Sequence, residues 1–300
     1  MTITADRPTT SSGKQYHINL GTGDLVGYVF VPGSPDRVVG WTDLWDSSRI
    51  LSTKRGLTSA SGRYENTNVG ACATGMSGGS AAIVINELAA ISRDGEEELI
   101  RGVIRGGTCA SIRPYMHPGD LVVLNGAIGM YDGVTYEYLG KGFLELGLIE
   151  LLKYVSPRLY NKLTLPSFAD KEFTQALIES AQSRGYVLRQ NLHVGRSCST
   201  ADFFLGQGRP AYNGYMTRKS RKRLRQLQRF TDTLIFEMEA STLFTLATLF
   251  GLRVAGICGV VADRHGNEFL GTDEIKELER EIGLVLLETA NSLNMRESKS

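Results

Sequence analysis

The residues most capable of chemistry in this sequence stand beside glycines. One group is Arg105-Gly106-Gly107-Thr108, which directly follows the apolar run 99–104. Glycine lets a ligand approach the backbone closely, and an arginine and a threonine hydroxyl can bind phosphate oxygens. Ligands in α/β proteins often lie beyond the C-terminal ends of strands. The motif therefore predicts an anion site after a strand, with a tight turn that merely contains an arginine as the alternative.

A second anion site is predicted at Pro32-Gly33-Ser34-Pro35-Asp36-Arg37, after the apolar run 26–31. Ser34 is a good helix N-cap, and Pro35 suits the first helical position. A helix N-terminus presents free N–H groups and a positive dipole end, which together favour an anion. Arg37 lies in the first turn, where a cation opposes the dipole unless an anion is bound. The alternative is an ordinary strand–helix turn with a solvated arginine.

Two further motifs suit a polar organic ligand. Phe236-Glu237-Met238-Glu239 has two carboxylates, which accept strong hydrogen bonds from hydroxyl groups such as those of a sugar. Farther upstream, Gln207 offers a donor and an acceptor, Arg209 offers donors, and Phe203 offers a ring for stacking. The alternative for the first motif is that acids merely favour a helix N-terminus. The alternative for the second is an ordinary surface loop.

A hydrolase motif and a basic run compete with these sites. Gly75-Met76-Ser77-Gly78-Gly79 fits G-x-S-x-G, the pattern of a nucleophile elbow, and several histidines downstream could act as bases. The pattern is short and the chain has 34 glycines, so a chance match is a competing explanation. The run from Arg218 to Arg225 could contact nucleic acid. A net charge of +1 argues against that interpretation and favours the solvated face of a helix.

Composition limits the remaining classes of protein. Cys72, Cys109, Cys198 and Cys258 are far apart and form no C-x-x-C pair, so neither a disulfide framework nor a zinc site is predicted. This usage predicts a reducing, cytoplasmic setting. No apolar run is long enough to span a bilayer. The first residues lack the apolar core of a signal peptide.

The elements that position these motifs alternate between strand and helix. Strands are predicted at 26–31, 69–73, 99–104, 121–124 and 254–261. Helices are predicted from Ser34, at 172–184, 243–250 and 274–293, and through Ile83 to Ile91 with Gly95 near the end. This alternation predicts an α/β fold. No segment reads as a linker, so residues 14–295 are predicted to form one domain between flexible tails at 1–13 and 296–300.

The order of the motifs resembles the uridine phosphorylase branch of the nucleoside phosphorylase superfamily. The resemblance runs from about residue 14 to 293. The residues that carry it are Tyr16-His17, Val31 to Arg37, Arg105 to Thr108, Gly206 to Arg209, Phe236 to Ala240 and Gly259 to Arg264. It implies a single-domain fold of that superfamily, with a central mixed, twisted β-sheet flanked by helices.

The resemblance also implies roles for individual residues. Phosphate would be bound by Gly33, Arg37, Arg105, Thr108 and, from a neighbouring subunit, Arg55. Ribose would be bound by Glu237, Met238, Glu239 and, from a neighbouring subunit, His17. Uracil would be bound by Phe203, Gln207 and Arg209, with Asp263 and Arg264 as further candidates beside the base. The implied assembly is a homo-oligomer built of dimers with shared active sites.

The implied reaction is phosphorolysis of uridine to uracil and ribose 1-phosphate in nucleoside salvage. It needs no organic cofactor and no metal, and phosphate is a co-substrate. Neither nucleic acid nor a membrane is an expected partner. The alternatives are a purine nucleoside phosphorylase or a nucleosidase of the same fold, and a non-catalytic nucleoside-binding relative.

The sequence departs from the family pattern in several places. Cys109-Ala110 replaces the usual Thr-Gly beside the base, and Ser77 replaces a glycine. Asp263 replaces an asparagine, and purine relatives use an aspartate in this region as an acid, which widens the expected substrate range. Gly56 stands where some bacterial members have a glutamate that helps bind a monovalent cation, so no such ion is predicted. Residues 131–165 form a longer segment, predicted to add a helix at a subunit interface or over the site.

Overall fold

Eleven strands form one mixed β-sheet in the computed structural model, which describes residues 4–130, 134, 166–210, 226–229 and 231–298. The strands in chain order are β1 Gly27–Phe30, β2 Ser47–Ser52, β3 Ser59–Tyr64, β4 Thr67–Cys72, β5 Arg93–Asp94, β6 Glu97–Glu98, β7 Ile100–Ser111, β8 Leu121–Met130, β9 Ser167–Phe168, β10 Leu192–Thr200, β11 Thr233–Glu237, β12 Val254–Asp263 and β13 Glu268–Phe269. Strands β5 and β6 form a separate hairpin. The principal helices are α1 Pro35–Thr42, α2 Gly78–Ala90, α3 Lys171–Ser183, α4 Ala240–Leu249 and α5 Thr272–Glu297.

The sheet closes on itself over part of its width. Its strand order is β13-β12-β8-β10-β11-β7-β1-β4-β3-β2, with β9 beside β8. Strand β12 pairs with β8 and also with β7, so β7, β12, β8, β10 and β11 form a closed ring. Strands β1, β4, β3 and β2 extend from β7 as an open wing.

One edge of β7 is left open between two partners. Its first half pairs with β1 as far as Ile104, and its end pairs with β11 from Ala110. No described strand pairs with that edge in between, whereas the other edge pairs with β12 from Val103 to Ser111. The open stretch begins at Arg105, so the divergence of β1 and β11 exposes the predicted anion-binding motif.

The prediction that the strand ends before Arg105 is wrong, and so is the alternative of a tight turn, because Arg105-Gly106-Gly107-Thr108 lies inside β7. Neither glycine has a positive φ. A Cβ added at Gly106 would lie 2.5 Å from Trp41 and 2.7 Å from Leu286. Glycine is required at this position because helices α1 and α5 pack closely on the strand.

Helices cover the two faces of the sheet. The core on one face includes Val84 and Leu88 of α2 and Leu243 of α4. The core on the other face includes residues of α1, α3 and α5, among them Trp41 and Phe173. The predicted apolar face of α3 is confirmed, because Phe173, Ala176, Leu177 and Ala181 are buried.

The predicted α/β class with a mixed sheet is confirmed, but several strands were missed. Strands β2, β3, β10 and β11 are not among the predicted strands, and β7 and β8 extend well beyond their predicted ends. The division into a domain and two tails stays a prediction; α5 runs to Glu297, and Thr9 forms a β-bridge with Gln15. The predicted helix within 131–165 and the basic run 218–225 lie outside the described residues, apart from Val134. None of the described helices is long and apolar enough to cross a membrane.

Candidate active site

A cavity of about 470 Å³ opens at the free edge of β7. It brings together motifs that are more than two hundred residues apart in sequence. The predicted site residues that line it are Gly33, Arg37, Arg105, Thr108, Phe203, Gln207, Arg209, Glu237, Met238 and Glu239. All four motif groups, including the N-terminal turn of α1, therefore line one cavity. Its size is usual for small-molecule sites.

Arg105 is a buried cation at the floor of this cavity, with 2% of its surface exposed. Its Nη2 lies 2.6 Å from Glu239 and 3.1 Å from Glu237. Burial alone would lower the pKa of Arg105, but the two carboxylates raise it, so the guanidinium stays charged. The Nε and Nη1 donors are buried and have no partner among the described residues. Because buried donors are nearly always bonded, these two indicate a ligand.

Glu237 is held by several partners at the end of β11. The Ser199 hydroxyl donates to one carboxylate oxygen. The other oxygen accepts from the backbone N–H groups of Glu239, at 2.9 Å, and Ala240, at 2.8 Å. Glu237 therefore satisfies free donors at the start of α4, which fixes the direction in which the following residues leave the strand.

Glu239 is the second buried carboxylate beside Arg105. It accepts from the backbone N–H of Ser77 at 2.7 Å. Burial raises its pKa, Arg105 opposes that effect, and the neighbouring Glu237 adds to it. Two carboxylates, Glu237 and Glu239, thus share one guanidinium, that of Arg105. A ligand that brings hydrogen-bond donors to Glu239 offsets the cost of burying its charge.

Arg37 reaches the cavity from the first turn of α1. The predicted helix start is confirmed, because Ser34 is the N-cap and its hydroxyl accepts from the Asp36 N–H at 3.2 Å. The Arg37 guanidinium donates to the Gly106 carbonyl at 3.2 Å and lies 3.5 Å from the Thr108 hydroxyl. Two arginines and a hydroxyl therefore line the same part of the cavity, an arrangement suited to an anion with several oxygens.

The loop after β10 supplies another part of the cavity wall. Gln207 is buried, its amide donates to the Thr200 hydroxyl at 3.1 Å, and its carbonyl oxygen accepts from Arg209. The Arg209 guanidinium lies 3.9 Å from the centre of the Phe203 ring. Burial, with a smaller effect of Arg264, lowers the pKa of Arg209 to about 10. This part of the cavity wall presents an amide, a guanidinium and an aromatic face, which suit a planar heterocycle.

Comparison with known proteins identifies the family. Residues 28–286 match the model of the phosphorylase superfamily.

The chain belongs to the phosphorylase superfamily.

Its relatives in this superfamily include uridine phosphorylase of Thermococcus kodakarensis, 37% identical over 89% of this chain and 84% of the relative. Uridine phosphorylase of Escherichia coli is 29% identical over 94% of this chain and 99% of the relative. Guanosine phosphorylase of Halorubrum lacusprofundi is 28% identical over 88% of this chain and 90% of the relative. The predicted resemblance to the uridine phosphorylase branch is confirmed.

Two residues predicted beside the base do not line the cavity of this superfamily member. The Asp263 carboxylate accepts from the backbone N–H groups of His265 and Gly266, both at 2.7 Å. It therefore stabilises the turn that leads to β13. Arg264 donates to the backbone carbonyls of Gln207, at 3.2 Å, and Gly208, at 3.3 Å. It supports the loop that carries Gln207 and Arg209.

His17 and Arg55 also lie outside the cavity lining of their own chain. The two are joined through Tyr16, which accepts from Arg55 at 3.3 Å and whose ring centre is 5.0 Å from that of His17. The buried carboxylate of Glu87 binds Nδ1 of His17 at 2.7 Å. We call Tyr16, His17 and Arg55 the His17–Arg55 cluster. Tyr16 and Arg55 are exposed, so the cluster is open to contact from outside.

The hydrolase motif does not form a nucleophile–base pair among the described residues. Ser77 has a φ of 79°, a strained value of the kind found at functional sites. Its backbone N–H binds Glu239, but no described histidine is hydrogen-bonded to its hydroxyl. His193 instead pairs with Asp120 at 2.9 Å. The strain is therefore associated with the placement of Glu239.

Several cavity residues were missed by sequence reasoning. Met76, Val261, Phe269 and Ile275 line the cavity of this phosphorylase-superfamily protein. Ile275 lies in the first turn of α5, and Phe269 lies on the short strand β13. Apolar residues in a helix or an edge strand carry no signal that separates a cavity wall from a core. No group of three or more His, Cys, Asp or Glu side chains within the described part of the chain is placed to hold a metal.

Proposed function

We propose that this protein cleaves uridine with inorganic phosphate to give uracil and ribose 1-phosphate. The observation that carries the proposal is that the Arg37–Arg105 pair and the Gln207–Arg209 pair line one cavity, and we assign the first pair to a phosphate end and the second to a base end. Relatives named uridine phosphorylase support it. The carboxylates of Glu237 and Glu239 lie beside Arg105, where they suit the hydroxyls of the sugar between the two ends.

The proposed mechanism is displacement at the anomeric carbon of the ribose. Phosphate, bound by Arg37, Arg105 and Thr108, attacks C1′ as the bond to uracil breaks. The sugar gains oxocarbenium character, as in glycoside cleavage, and the phosphate charge stabilises it. The leaving uracil gains negative charge, and Gln207 and Arg209 donate to it. Fixed donors aimed at developing charge are often the largest catalytic contribution.

The buried donors of Arg105 support a phosphate co-substrate. Its Nε and Nη1 have no partner among the described residues, and phosphate oxygens would satisfy both. A nucleosidase uses water as the attacking group and has less need of a second arginine at this position. The proposal therefore requires phosphate and no organic cofactor or metal.

Asp263 supports a pyrimidine over a purine nucleoside. Both of its carboxylate oxygens accept backbone N–H groups of the following turn. These bonds commit both oxygens to the turn, and Asp263 does not line the cavity, so it is not placed to act as an acid toward a purine ring. The guanosine phosphorylase among the relatives keeps a purine nucleoside as the second candidate substrate.

We further propose a homo-oligomer built of dimers, in which the His17–Arg55 cluster of one subunit completes the cavity of its neighbour. The apolar residues Met76 and Phe269 line the cavity and are strongly exposed in the isolated chain, which is consistent with a covering partner. The cytoplasm is the proposed location, because the four cysteines are free and buried.

The proposed function is tested with a substrate panel in the presence and absence of phosphate. Uridine, thymidine, inosine and guanosine are incubated with the protein, and the base and sugar products are separated. We expect uracil and ribose 1-phosphate from uridine only when phosphate is present. Equal turnover to free ribose without phosphate would indicate a nucleosidase, and a purine preference would indicate a purine phosphorylase. Binding of uridine without any turnover would indicate a non-catalytic relative.

A further inference from the structure

We propose that Glu279 of helix α5 is a positioning residue of the phosphate site, because it fixes the direction in which the Arg37 guanidinium points. The inference rests on the proposed function, in which Arg37 binds phosphate. Glu279 lies outside the cavity lining, and none of the sequence motifs includes it.

Glu279 binds the one Arg37 nitrogen, Nε, that is not in contact with strand β7. Its carboxylate accepts from Arg37 Nε at 2.8 Å. Nη1 is then 3.2 Å from the Gly106 carbonyl, and Nη2 is 3.5 Å from the Thr108 hydroxyl. A guanidinium is planar and carries its donors in a rigid fork. Holding Nε therefore orients both terminal nitrogens toward the strand that carries Arg105.

Glu279 is itself fixed by the close packing of α5 on α1. The Trp41 indole N–H donates to the backbone carbonyl of Glu279 at 2.8 Å. One turn later, a Cβ added at Gly283 would lie 2.5 Å from the Trp41 ring, so glycine permits this approach. Trp41 belongs to the same helix as Arg37. The acceptor and the arginine are thus held by one helix–helix contact and keep a constant separation.

The charge of Glu279 also explains how Arg37 is tolerated without a ligand. Arg37 lies in the first turn of α1, where the helix dipole disfavours a cation. Its side chain is 9% exposed, and that of Glu279 is 26% exposed. A largely buried cation needs a counter-charge. Glu279 supplies it on the side away from the phosphate, so the cavity-facing donors remain available.

The test measures phosphate affinity directly, by calorimetric titration of inorganic phosphate into the full-length protein. We expect Glu279→Ala to raise the Kd for phosphate roughly tenfold, as loss of a residue that orients a ligand-binding group does. In steady-state kinetics the KM for phosphate should rise by a similar factor, while the KM for uridine stays within about twofold. Glu279→Gln should retain near-normal affinity, because its amide oxygen can still accept from Nε.

Glu277→Ala is the matched control on the same helix. The Glu277 side chain is 66% exposed and lies 3.9 Å from Arg280, so this variant should bind phosphate normally. Glu279→Asp provides a second variant, which keeps the charge and shortens the reach to Nε. It should also weaken phosphate binding, and it remains informative if Glu279→Ala does not fold.

The outcomes separate this inference from the proposed function. If the unmodified protein does not bind phosphate, the proposed function fails. If it binds phosphate and folded Glu279→Ala or Glu279→Asp binds equally well, the positioning role is wrong. Equal increases in the KM values for phosphate and uridine would indicate a general structural role and would also overturn it. If Glu279→Gln binds phosphate as weakly as Glu279→Ala, the effect comes from the charge of Glu279 and not from the direction in which the Arg37 guanidinium points.

Discussion

At the scale of single residues, Arg105 and Arg37 bind the same part of the cavity in different ways. Arg105 neutralises two buried carboxylates, whereas Arg37 pairs with one carboxylate that is partly solvated. Removing one partner of a buried ion pair leaves an uncompensated charge. The two arginines should therefore be separable by their effects on stability, although both serve phosphate binding.

We expect Arg105→Met to lower the free energy of unfolding by about 3–5 kcal/mol, because Glu237 and Glu239 lose their counter-ion. Arg37→Met should lower it by only about 1 kcal/mol, since its partner is partly solvated. Both variants should lose phosphorolysis. Urea denaturation measures the difference, and similar unfolding midpoints for the two variants would contradict the role given to Arg105.

We expect Gln207→Ala to impair the use of uridine far more than the binding of phosphate. The substitution removes the amide proposed to bind uracil and takes one hydrogen-bond partner from each of Arg209 and Thr200, at a cost of about 1–3 kcal/mol. That corresponds to a loss of ~5–150-fold in kcat/KM for uridine. Gln190→Ala, at an exposed position in a turn, is the control. A normal kcat/KM for Gln207→Ala would remove the base end of the cavity from the mechanism.

At the scale of elements, strand β7 places the anion-binding residues because its two neighbours diverge. The strand is continuous through Gly106 and Gly107, and helices α1 and α5 pack against it where a side chain would not fit. Gly106 therefore allows the helices to approach, and those helices bring Arg37 and Glu279 to the strand.

We expect Gly106→Ala to destabilise the protein by about 1–3 kcal/mol, because the new methyl group overlaps Trp41 and Leu286. Gly79→Ala is the matched control, since nothing lies within 4 Å of its added Cβ in helix α2. That variant should be more stable by roughly 0.5–1 kcal/mol, because alanine is the better helix former. Thermal unfolding checks both, and an unchanged Tm for Gly106→Ala would show that the helices can shift at no cost.

The elements also show how far the sequence can predict this site. The Ser34-Pro35 helix start was predictable because capping is local chemistry. The Arg105 motif was identified by its residue types, yet its secondary structure was wrong. A pair of glycines favours a turn locally, and only the packing of the distant residues Trp41 and Leu286 explains why Gly106 stands in a strand. The sequence carries no signal for the role of Glu279, because a glutamate on a helix is common and its role depends on the packing of that helix against α1.

At the scale of the whole molecule, the His17–Arg55 cluster lies outside the cavity of its own chain. Family resemblance, not residue type, identified His17 and Arg55 as candidates. A single chain's sequence does not say which residues reach a partner, so this part of the site stays a prediction. A two-fold interface is self-complementary, and each subunit would lend its cluster to the other.

We expect mixed dimers of two inactive variants to regain activity. Arg55→Ala removes the contribution to the neighbour, and Arg37→Met removes the contribution to the chain's own cavity. In a mixed dimer one site carries both defects and the other carries neither. Random assembly of equal amounts makes about half of the dimers mixed, so roughly a quarter of all sites should work. Uridine phosphorolysis after co-expression measures this recovery.

Each variant assembled alone provides the baseline for that experiment. Mixed dimers are verified with two affinity tags before activity is compared. Activity no higher than the baseline, with mixed dimers present, would mean that Arg55 acts within its own chain or not at all.

The closed ring of strands has a consequence for how the protein is made. Strand β12, which pairs with both β7 and β8, leaves the ribosome long after either of them. Until residues 254–263 emerge, the facing edges of β7 and β8 have no strand between them, and unpaired edges invite association with other chains. The nascent chain therefore carries unpaired edges on two central strands until β12 emerges, which makes protection by chaperones most valuable before that point.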